Sequence, residues 1–484
     1  MTTHLPRLSS LLLIAALFFS ACGPVTAVPD SNSSATSTPG ATKPTVPATA
    51  TATRIPALSV DVASVHGIRI QAWHALNGIS EEAFISLMAR FNSVNEWGIT
   101  IDATSQGDYP SLTGAVDEAL AQASGSALSQ SMGPDLVLAL PEQALAWNAS
   151  GAVVGLNPYI YDSKWGLTDN GGTTDFPAVF WQQDEVAGRR IGVPAERSAR
   201  YLFYNVTWAH ELGFEDPPVT ADEFREQACA ANATFRADDD LTNDGYGGWL
   251  VDADWQTVYP WLLAFGGGAI ENEQYHFRTD ANETALSFLK ELRDDGCAWM
   301  AIDPENPTGL NTGPFYEQFT HRSALFITGD LTEASTLSGT MTRLNSTDTW
   351  TMIAFPGSET RAVTVYGSSY TMLASKPERQ LAAWLFIRWM MAPENQVKWA
   401  TRAGTLPLRA SILGQFSDYQ SANPQWDAAV KLLPLAQGVP QLQSWSTIRY
   451  VLEDGTMDIF RMNIPLDQIP AVLDEMDVTA QELK

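Results

Sequence analysis

Ile68-Arg69-Ile70-Gln71-Ala72-Trp73 alternates apolar and polar side chains with the period of two that a strand imposes on a half-buried surface. Ser80 then caps a helix that carries Phe84, Leu87, Met88 and Phe91 at helical spacing. A second strand is expected at Ile99-Thr100-Ile101-Asp102-Ala103, and a second helix from Tyr109 to about Ala123. The unbroken apolar run in Asp135-Leu136-Val137-Leu138-Ala139-Leu140 suits a parallel strand buried on both faces. Strand, helix, strand, helix, strand is the order of a parallel sheet flanked by helices.

The same order recurs downstream: Tyr201-Leu202-Phe203-Tyr204 as strand, Thr220 to Ala231 as helix, Ala324-Leu325-Phe326-Ile327 as strand. From Glu378 onward helices dominate, with Leu381, Trp384, Leu385 and Ile387 forming an apolar stripe and Pro393-Glu394 opening a further helix. The expected fold class is therefore α/β with two lobes, each a mainly parallel sheet flanked by helices. No internal repeat of fixed period is present.

Upstream, His4 and Arg7 precede an apolar stretch from Leu11 to Phe19, then Ser20-Ala21 stand immediately before Cys22. A positive start, a short apolar core and small residues make an export signal, too short for a permanent membrane span. A cysteine at the cleavage point resembles the bacterial lipobox, whose thiol receives diacylglycerol, although Phe19 stands where that motif usually has Leu. Residues 1–22 are thus expected to be a lipoprotein signal and Cys22 the lipidated residue. Residues 23–60 are mostly Thr, Ser, Pro, Ala and Gly, which bury too little apolar surface to offset ordering entropy and so read as a tether.

The 484-residue chain carries 28 Lys plus Arg against 55 Asp plus Glu, a formal charge of -27. That field repels phosphate backbones, which argues against nucleic acid as a partner. Beyond Cys22 only Cys229 and Cys297 remain, and in an exported chain they read as one bridge or as two buried thiols. With 6 His and no His or Cys cluster, no metal or other cofactor is expected. Asp240-Leu241-Thr242-Asn243-Asp244-Gly245 partly matches a calcium loop, but Val251 stands where that loop needs a bidentate Glu, so an Asx-rich turn is the expectation.

Several landmarks in order resemble the extracellular sugar-binding proteins of ABC importers, the maltodextrin-binding type. They are Ile191-Gly192-Val193-Pro194 with Leu202-Phe203-Tyr204-Asn205; Gly213-Phe214 through Pro217-Pro218-Val219-Thr220-Ala221-Asp222-Glu223-Phe224; and Phe319 with Ala324-Leu325-Phe326-Ile327-Thr328-Gly329. Phe355-Pro356, Gly367-Ser368-Ser369, Lys376-Pro377-Glu378, Pro393-Glu394 and Pro407-Leu408-Arg409 complete the series, with His321-Arg322-Ser323 in place of the family's Gly-Lys. The resemblance implies a periplasmic-binding-protein-like fold with a hinge. The chain would cross near Pro194 to Arg197 and again near Phe355 to Val363, giving 61–197 with 356–412 as lobe 1 and 198–355 with 413–484 as lobe 2. It implies a monomer, lipid-anchored on the extracellular side of the membrane, that hands a sugar to the permease subunits of an ABC importer.

Sugar recognition needs aromatic rings against apolar pyranose faces and planar polar groups for paired hydroxyls. Trp73 and His74 end the first strand, at the carboxyl edge where open α/β sheets hold ligands. Tyr109 precedes a helix and Glu142-Gln143 follow the strand ending at Leu140, the latter matching the family's polar hydroxyl binders. Glu196, Arg197 and Ser198 fall at the first crossing; Tyr366, Ser368 and Tyr370 border the second. Asp254-Trp255 match the family's acid-plus-aromatic segment, Asp330 stands where relatives often have an aromatic, and Trp445 with Arg449 share one helix face. The competing function is a secreted carbohydrate hydrolase, which needs two carboxyls flanking a scissile bond, but no acid–base motif accompanies the candidates. A surface adhesion module would keep a rigid shape. The chain has no Walker motif of its own.

Overall fold

In the computed structural model, residues 58–124, 133–167, 175–252, 254–300, 313–358, 360–461 and 464–484 are described. They fall within the unit Arg54–Lys484. Cys22, the signal segment and nearly all of the 23–60 tether lie outside the described residues.

The Arg69–His74 strand buries every second residue, and Ile70, Ala72 and His74 face the helix Gly78–Val94, which returns Ala83, Phe84, Leu87 and Phe91. That helix starts at Gly78 with Asn77 as its N-cap residue, so Ser80 lies one turn in rather than capping. Truncating Phe84 here would cost about 3–5 kcal/mol, since it sits edge-on to His74 and Phe386 in a fully packed layer.

The strand belongs to a five-stranded sheet ordered Thr100–Ser105, Arg69–His74, Leu136–Ala139, Ser369–Met372, Val193–Pro194. The first two pairings are parallel, as the strand–helix alternation requires; the last two are antiparallel, because Ser369–Met372 arrives from the other lobe. The second sheet has eight strands, with Ala298–Met300, Gly247–Val251, Ala324–Asp330, Ser198–Asn205, Arg361–Tyr366 and Phe355–Pro356 in sequence across it. The strands Ala298–Met300, Gly247–Val251 and Ala324–Asp330 on one side are parallel, whereas Ser198–Asn205 runs antiparallel to all its neighbours. Both lobes are thus α/β with mixed sheets. In Ser198–Asn205, Tyr201 and Phe203 enter one apolar cluster and Leu202 and Tyr204 the other, so this strand is covered on both faces. The first cluster also holds Phe84, Trp384 and Trp399 of the smaller lobe, making the apolar packing continuous between lobes.

The chain leaves the small sheet after Val193–Pro194 and enters the large one at Ser198. The return crossing lies at Gly367-Ser368, later than the expected Phe355 to Val363. Residues 356–366 stay in the larger lobe because Phe355–Pro356 forms a hairpin with Arg361–Tyr366, which then pairs Thr364 with Arg200 and Tyr366 with Ser198. The two crossings lie side by side: Ala195 and Glu196 both donate their backbone N–H to the Ser368 carbonyl, at 2.9 and 3.2 Å. Gly367 has φ +152°, and a Cβ there would meet the Glu196 carbonyl oxygen at 2.4 Å, so only glycine fits this contact.

The helix Pro424–Lys431 packs along the Trp350–Ile353 strand, and Trp445–Arg461 and Ile469–Leu483 pack with Trp255–Ala264 and Asp280–Asp294, all in the larger lobe. Cys229, in the helix Ala221–Arg236, is bridged to Cys297 at the start of the edge strand, 68 residues on. In the Asp240 loop the Asp240 carboxylate accepts from Thr242 N and Oγ1 at 3.0 and 2.6 Å, an Asx turn. Among the described residues no helix is long and apolar enough to cross a membrane, and no group of three His, Cys, Asp or Glu is arranged for a metal ion.

Candidate functional site

A cavity of about 400 Å³ lies between the lobes, within the size range of small-molecule sites. The small lobe contributes the turn after its first strand, Ala75 to Asn77 with Ser80, the ring of Tyr109, and Leu140 to Glu142 after its third strand. These are carboxyl ends of parallel strands, where the sheet leaves its loops free to diverge. The crossings contribute Glu196, Ser198, Tyr366 and Gly367; the larger lobe contributes Trp255, Gln256, Asp330, Thr332, Trp445 and Arg449. A trough of about 640 Å³ between the Ala221–Arg236 and Asp280–Asp294 helices is bigger, but it draws on one lobe alone and is crossed by the Arg225–Glu291 ion pair.

Aromatic rings form one wall. Trp445 meets Trp255 edge-on at 5.5 Å and stacks with Tyr275 at 6.4 Å, while Tyr366 lies 6.3 Å from Trp255. Trp445 is fully buried, yet its Nε1 has no hydrogen-bond partner among the described residues. The same holds for Glu196 Oε2, Ser198 Oγ and Arg449 Nε. Buried polar atoms in native proteins are nearly always paired, so these four, with Gln183 Oε1 as a fifth on the same wall, mark the cavity out.

The ionisable groups are held in unusual states. Burial raises the Glu196 pKa, opposed by Ser80, Arg197, Trp399 and Ser368 around it. Burial also raises the Tyr109 hydroxyl, with the Glu196 charge adding to the effect. Glu142 is buried and raised too, opposed by Arg449, whose Nη1 stands 3.6 Å from Glu142 Oε1 across the lobes. The guanidinium of Arg449 also lies 5.6 Å from the Trp255 ring centre. In the larger lobe Arg200 bonds Asp252 at 2.5 Å, with Asp330 and Glu333 at 3.8 and 3.7 Å. Asp330 accepts from the Tyr366 hydroxyl. Burial, together with Glu333, Asp254 and Asp252, holds Asp330 far above the carboxylate range despite Arg200. Burial likewise lifts Asp252 to about 6 and, with Asp254 beside it, Glu453 to about 7.

Of the residues expected from sequence, Tyr109, Glu142, Glu196, Ser198, Trp255, Asp330, Tyr366, Trp445 and Arg449 line this cavity. The others do not. Trp73 points to the opposite face of its strand and packs against the cluster of Leu112, Val116 and Trp147. His74 is buried under Phe84, with burial lowering its pKa. Gln143 is a helix cap: its amide donates to Tyr109 O and Thr113 Oγ1 and accepts from Leu140 N. Asp254 caps its own helix by accepting from Gln256 N at 2.7 Å. Ser368 and Tyr370 are fully buried behind the crossing. Arg197 is also fully buried, bonding the carbonyls of Glu196 and Ser368 at 2.8 Å, Ser369 Oγ at 2.9 Å and Asp184 at 3.1 Å.

Sequence reasoning missed Asn77, Ser80, Gln183, Gln256, Thr332 and Thr405 on the cavity wall. Asn77 and Ser80 carry the same signal as any helix start; Gln256, beside Trp255, was the one a neighbour flagged.

The model of the bacterial extracellular solute-binding protein family matches residues 86–433. Curated binding proteins of Brucella abortus (strain 2308) and Brucella suis biovar 1 (strain 1330) are 21% identical over 290 residues, 59% of this chain. The matched part spans 66% of those relatives, just under two thirds of their length. Among solved structures, the sugar-binding protein MalE of Xanthomonas citri superposes with TM-score 0.70 at 19% identity, covering 86% of this chain and 97% of that one. UgpB of Mycobacterium tuberculosis, in complex with glycerophosphocholine, gives 0.67 at 19% identity, covering 86% and 98%. The cyclic alpha-maltosyl-1,6-maltose binding protein of Arthrobacter globiformis gives 0.67 at 16% identity, covering 85% and 98%. At these identities the likeness is one of fold: two α/β lobes joined by a hinge. With most of its length inside the family model, the chain belongs to the bacterial extracellular solute-binding proteins.

Proposed function

We propose that this protein captures a carbohydrate, a mono- or short oligosaccharide, in the cavity between its lobes and delivers it unchanged to the permease of an ABC importer. The observation that carries the reading is the cavity itself, walled by both lobes and by the rings of Trp255, Tyr366 and Trp445, with unpaired polar atoms on Glu196, Ser198, Trp445 and Arg449. Rings supply apolar faces for a pyranose and the unpaired atoms supply hydroxyl partners. Saccharide names on two of the three structural relatives, and glycerophosphocholine in the third, agree with a small polyhydroxylated solute.

A solute bridging both walls favours the closed arrangement by its differential affinity, and the closed form is what the permease recognises. The protein works as a monomer, outside the cell membrane, held there by diacylglycerol on Cys22 and the Thr/Ser/Pro-rich tether. Titration calorimetry with maltose, chitobiose and their monosaccharides, paired with small-angle scattering, tests the carrier. Saturable binding with a smaller radius of gyration and solute recovered intact is the expected result. Cleaved products, or no contraction with any sugar, would overturn it. A Cys22→Ser variant is expected in the medium rather than the membrane fraction.

A further inference from the structure

We infer that the solute carries a positively charged nitrogen, as an amino sugar does, and that this nitrogen sits against the free carboxyl oxygen of Glu196. The inference rests on the carrier reading and narrows its substrate class. Three carboxyls line the cavity, on Glu142, Glu196 and Asp330, against the single guanidinium of Arg449 among the described residues. Arg449 faces Glu142 across the lobes. Arg200, behind the wall, is shared among Asp252, Asp330 and Glu333. Arg197, next to Glu196 in sequence, directs its terminal nitrogens away from the cavity onto Asp184, Ser369 and the crossing carbonyls. Each nearby cation is therefore committed elsewhere: beyond Arg197, the Glu196 carboxyl has only the uncharged Ser80, Trp399 and Ser368 side chains close by, and its buried Oε2 makes no hydrogen bond among the described residues.

A neutral sugar would offer Glu196 hydroxyl donors but leave its carboxylate without a counter-charge in a closing, desolvated space. A cation answers both needs: it donates a charge-assisted bond to Glu196 and favours the charged form of a carboxyl that burial otherwise disfavours. The aromatic wall adds to this, since ring faces attract cations and Trp255 already lies under a guanidinium.

Calorimetry of the folded protein in near-neutral buffer with chitobiose, its neutral N,N′-diacetyl form and maltose, and with glucosamine against glucose, tests the idea. The amine-bearing member is expected to bind at least about tenfold tighter than its neutral counterparts. Glu196→Gln should erase that preference, costing amine affinity at least about tenfold more than neutral-sugar affinity, and Glu196→Asp, which keeps the charge but draws it back, should reduce it, which serves should the first variant not fold. Neutral sugars bound as tightly as amines, or an unchanged amine preference in Glu196→Gln, would overturn the inference and leave the carrier reading standing. Capture of no probe at all would overturn both.

Discussion

Glu196, Arg197 and Ser198 are consecutive, yet the crossing they form separates them into two regions with opposite polar economies. Arg197 turns inward, where it and Asp184 are both fully buried and its two terminal nitrogens reach Glu196, Gly367, Ser368, Phe180, Asp184 and Ser369. Ser369 Oγ closes the network by donating to Asp184 at 2.8 Å. Glu196 and Ser198 turn outward to the cavity, each with a buried polar atom unpaired. The alternation is that of any extended chain. Its lesson is that charge and burial alone do not identify a binding residue; what distinguishes the two regions is whether the protein has already used the hydrogen-bonding capacity of the group.

The comparison breaks most visibly at Arg197. Arg197→Ala strands the buried Asp184 carboxylate and should cost about 3–5 kcal/mol in urea unfolding. If that variant kept its stability and lost only solute affinity, the crossing would belong to the site after all. Gly367→Ala comes next, because the new Cβ would collide with the Glu196 carbonyl oxygen in a backbone conformation that side chains avoid. A loss of at least about 1–3 kcal/mol is expected, with the two crossings pushed apart. Nuclear magnetic resonance shifts confined to residues 195–198 and 366–369 would localise the effect; unchanged stability would mean the contact is looser than its 2.4 Å geometry.

A third test sharpens the outward side through pH. Asp252, Glu453 and Asp330 have folded pKa values raised by burial, to about 6 and about 7 for the first two. A raised carboxyl binds its proton more tightly folded than unfolded, so its contribution is fully present below the unfolded value near 4 and is lost as pH rises through the folded value. Stability without solute should therefore fall between about pH 4 and pH 8, by roughly 1–3 kcal/mol in total after Arg200 offsets part of the charge. Asp330→Asn should flatten the slope; a melting temperature rising across that range would refute the raised state of these carboxyls.

The lobes were legible in the sequence because their central strands are apolar on both faces or alternate cleanly. Arg69–His74 and Leu136–Ala139 show this, and the first is followed by a helix with a single apolar stripe. The second crossing was not, since Arg361–Tyr366 reads as a strand in either lobe and only its pairing with Ser198–Asn205, over 160 residues away, assigns it. For the site, Trp255, Trp445 and Glu142 were visible as large or charged residues at element ends. Trp73 and His74 failed because residues at a strand's end still obey its facing, and both faces of this strand are covered. Ser80 and Asn77 failed for the opposite reason: a helix start explains them so well that nothing local signals a second use.

The smallest expected effect concerns the contact between Glu142 and Arg449, which alone pairs opposite charges across the cavity among the described residues that line it. At 3.6 Å it is looser than the Arg197–Asp184 pair, and it joins helices Pro141–Ala149 and Trp445–Arg461, which separate when the lobes open. In the open form both groups regain water, so the pair adds little to the difference between folded and unfolded chains, and Glu142→Gln should change unfolding stability by less than about 1 kcal/mol. Arg449 would still be held by the rings of Trp255 and Tyr450 at 5.6 and 5.3 Å. Under the proposed closure the pair is expected to bias the open–closed equilibrium instead, and the same free energy, felt there, corresponds to roughly a fivefold weaker solute affinity. Scattering should show Glu142→Gln shifted toward the expanded form before solute is added. A large loss of folding stability with unchanged affinity would place this pair with Arg197 and Asp184 in the fabric of the hinge, and the division between the two regions would have to be drawn elsewhere.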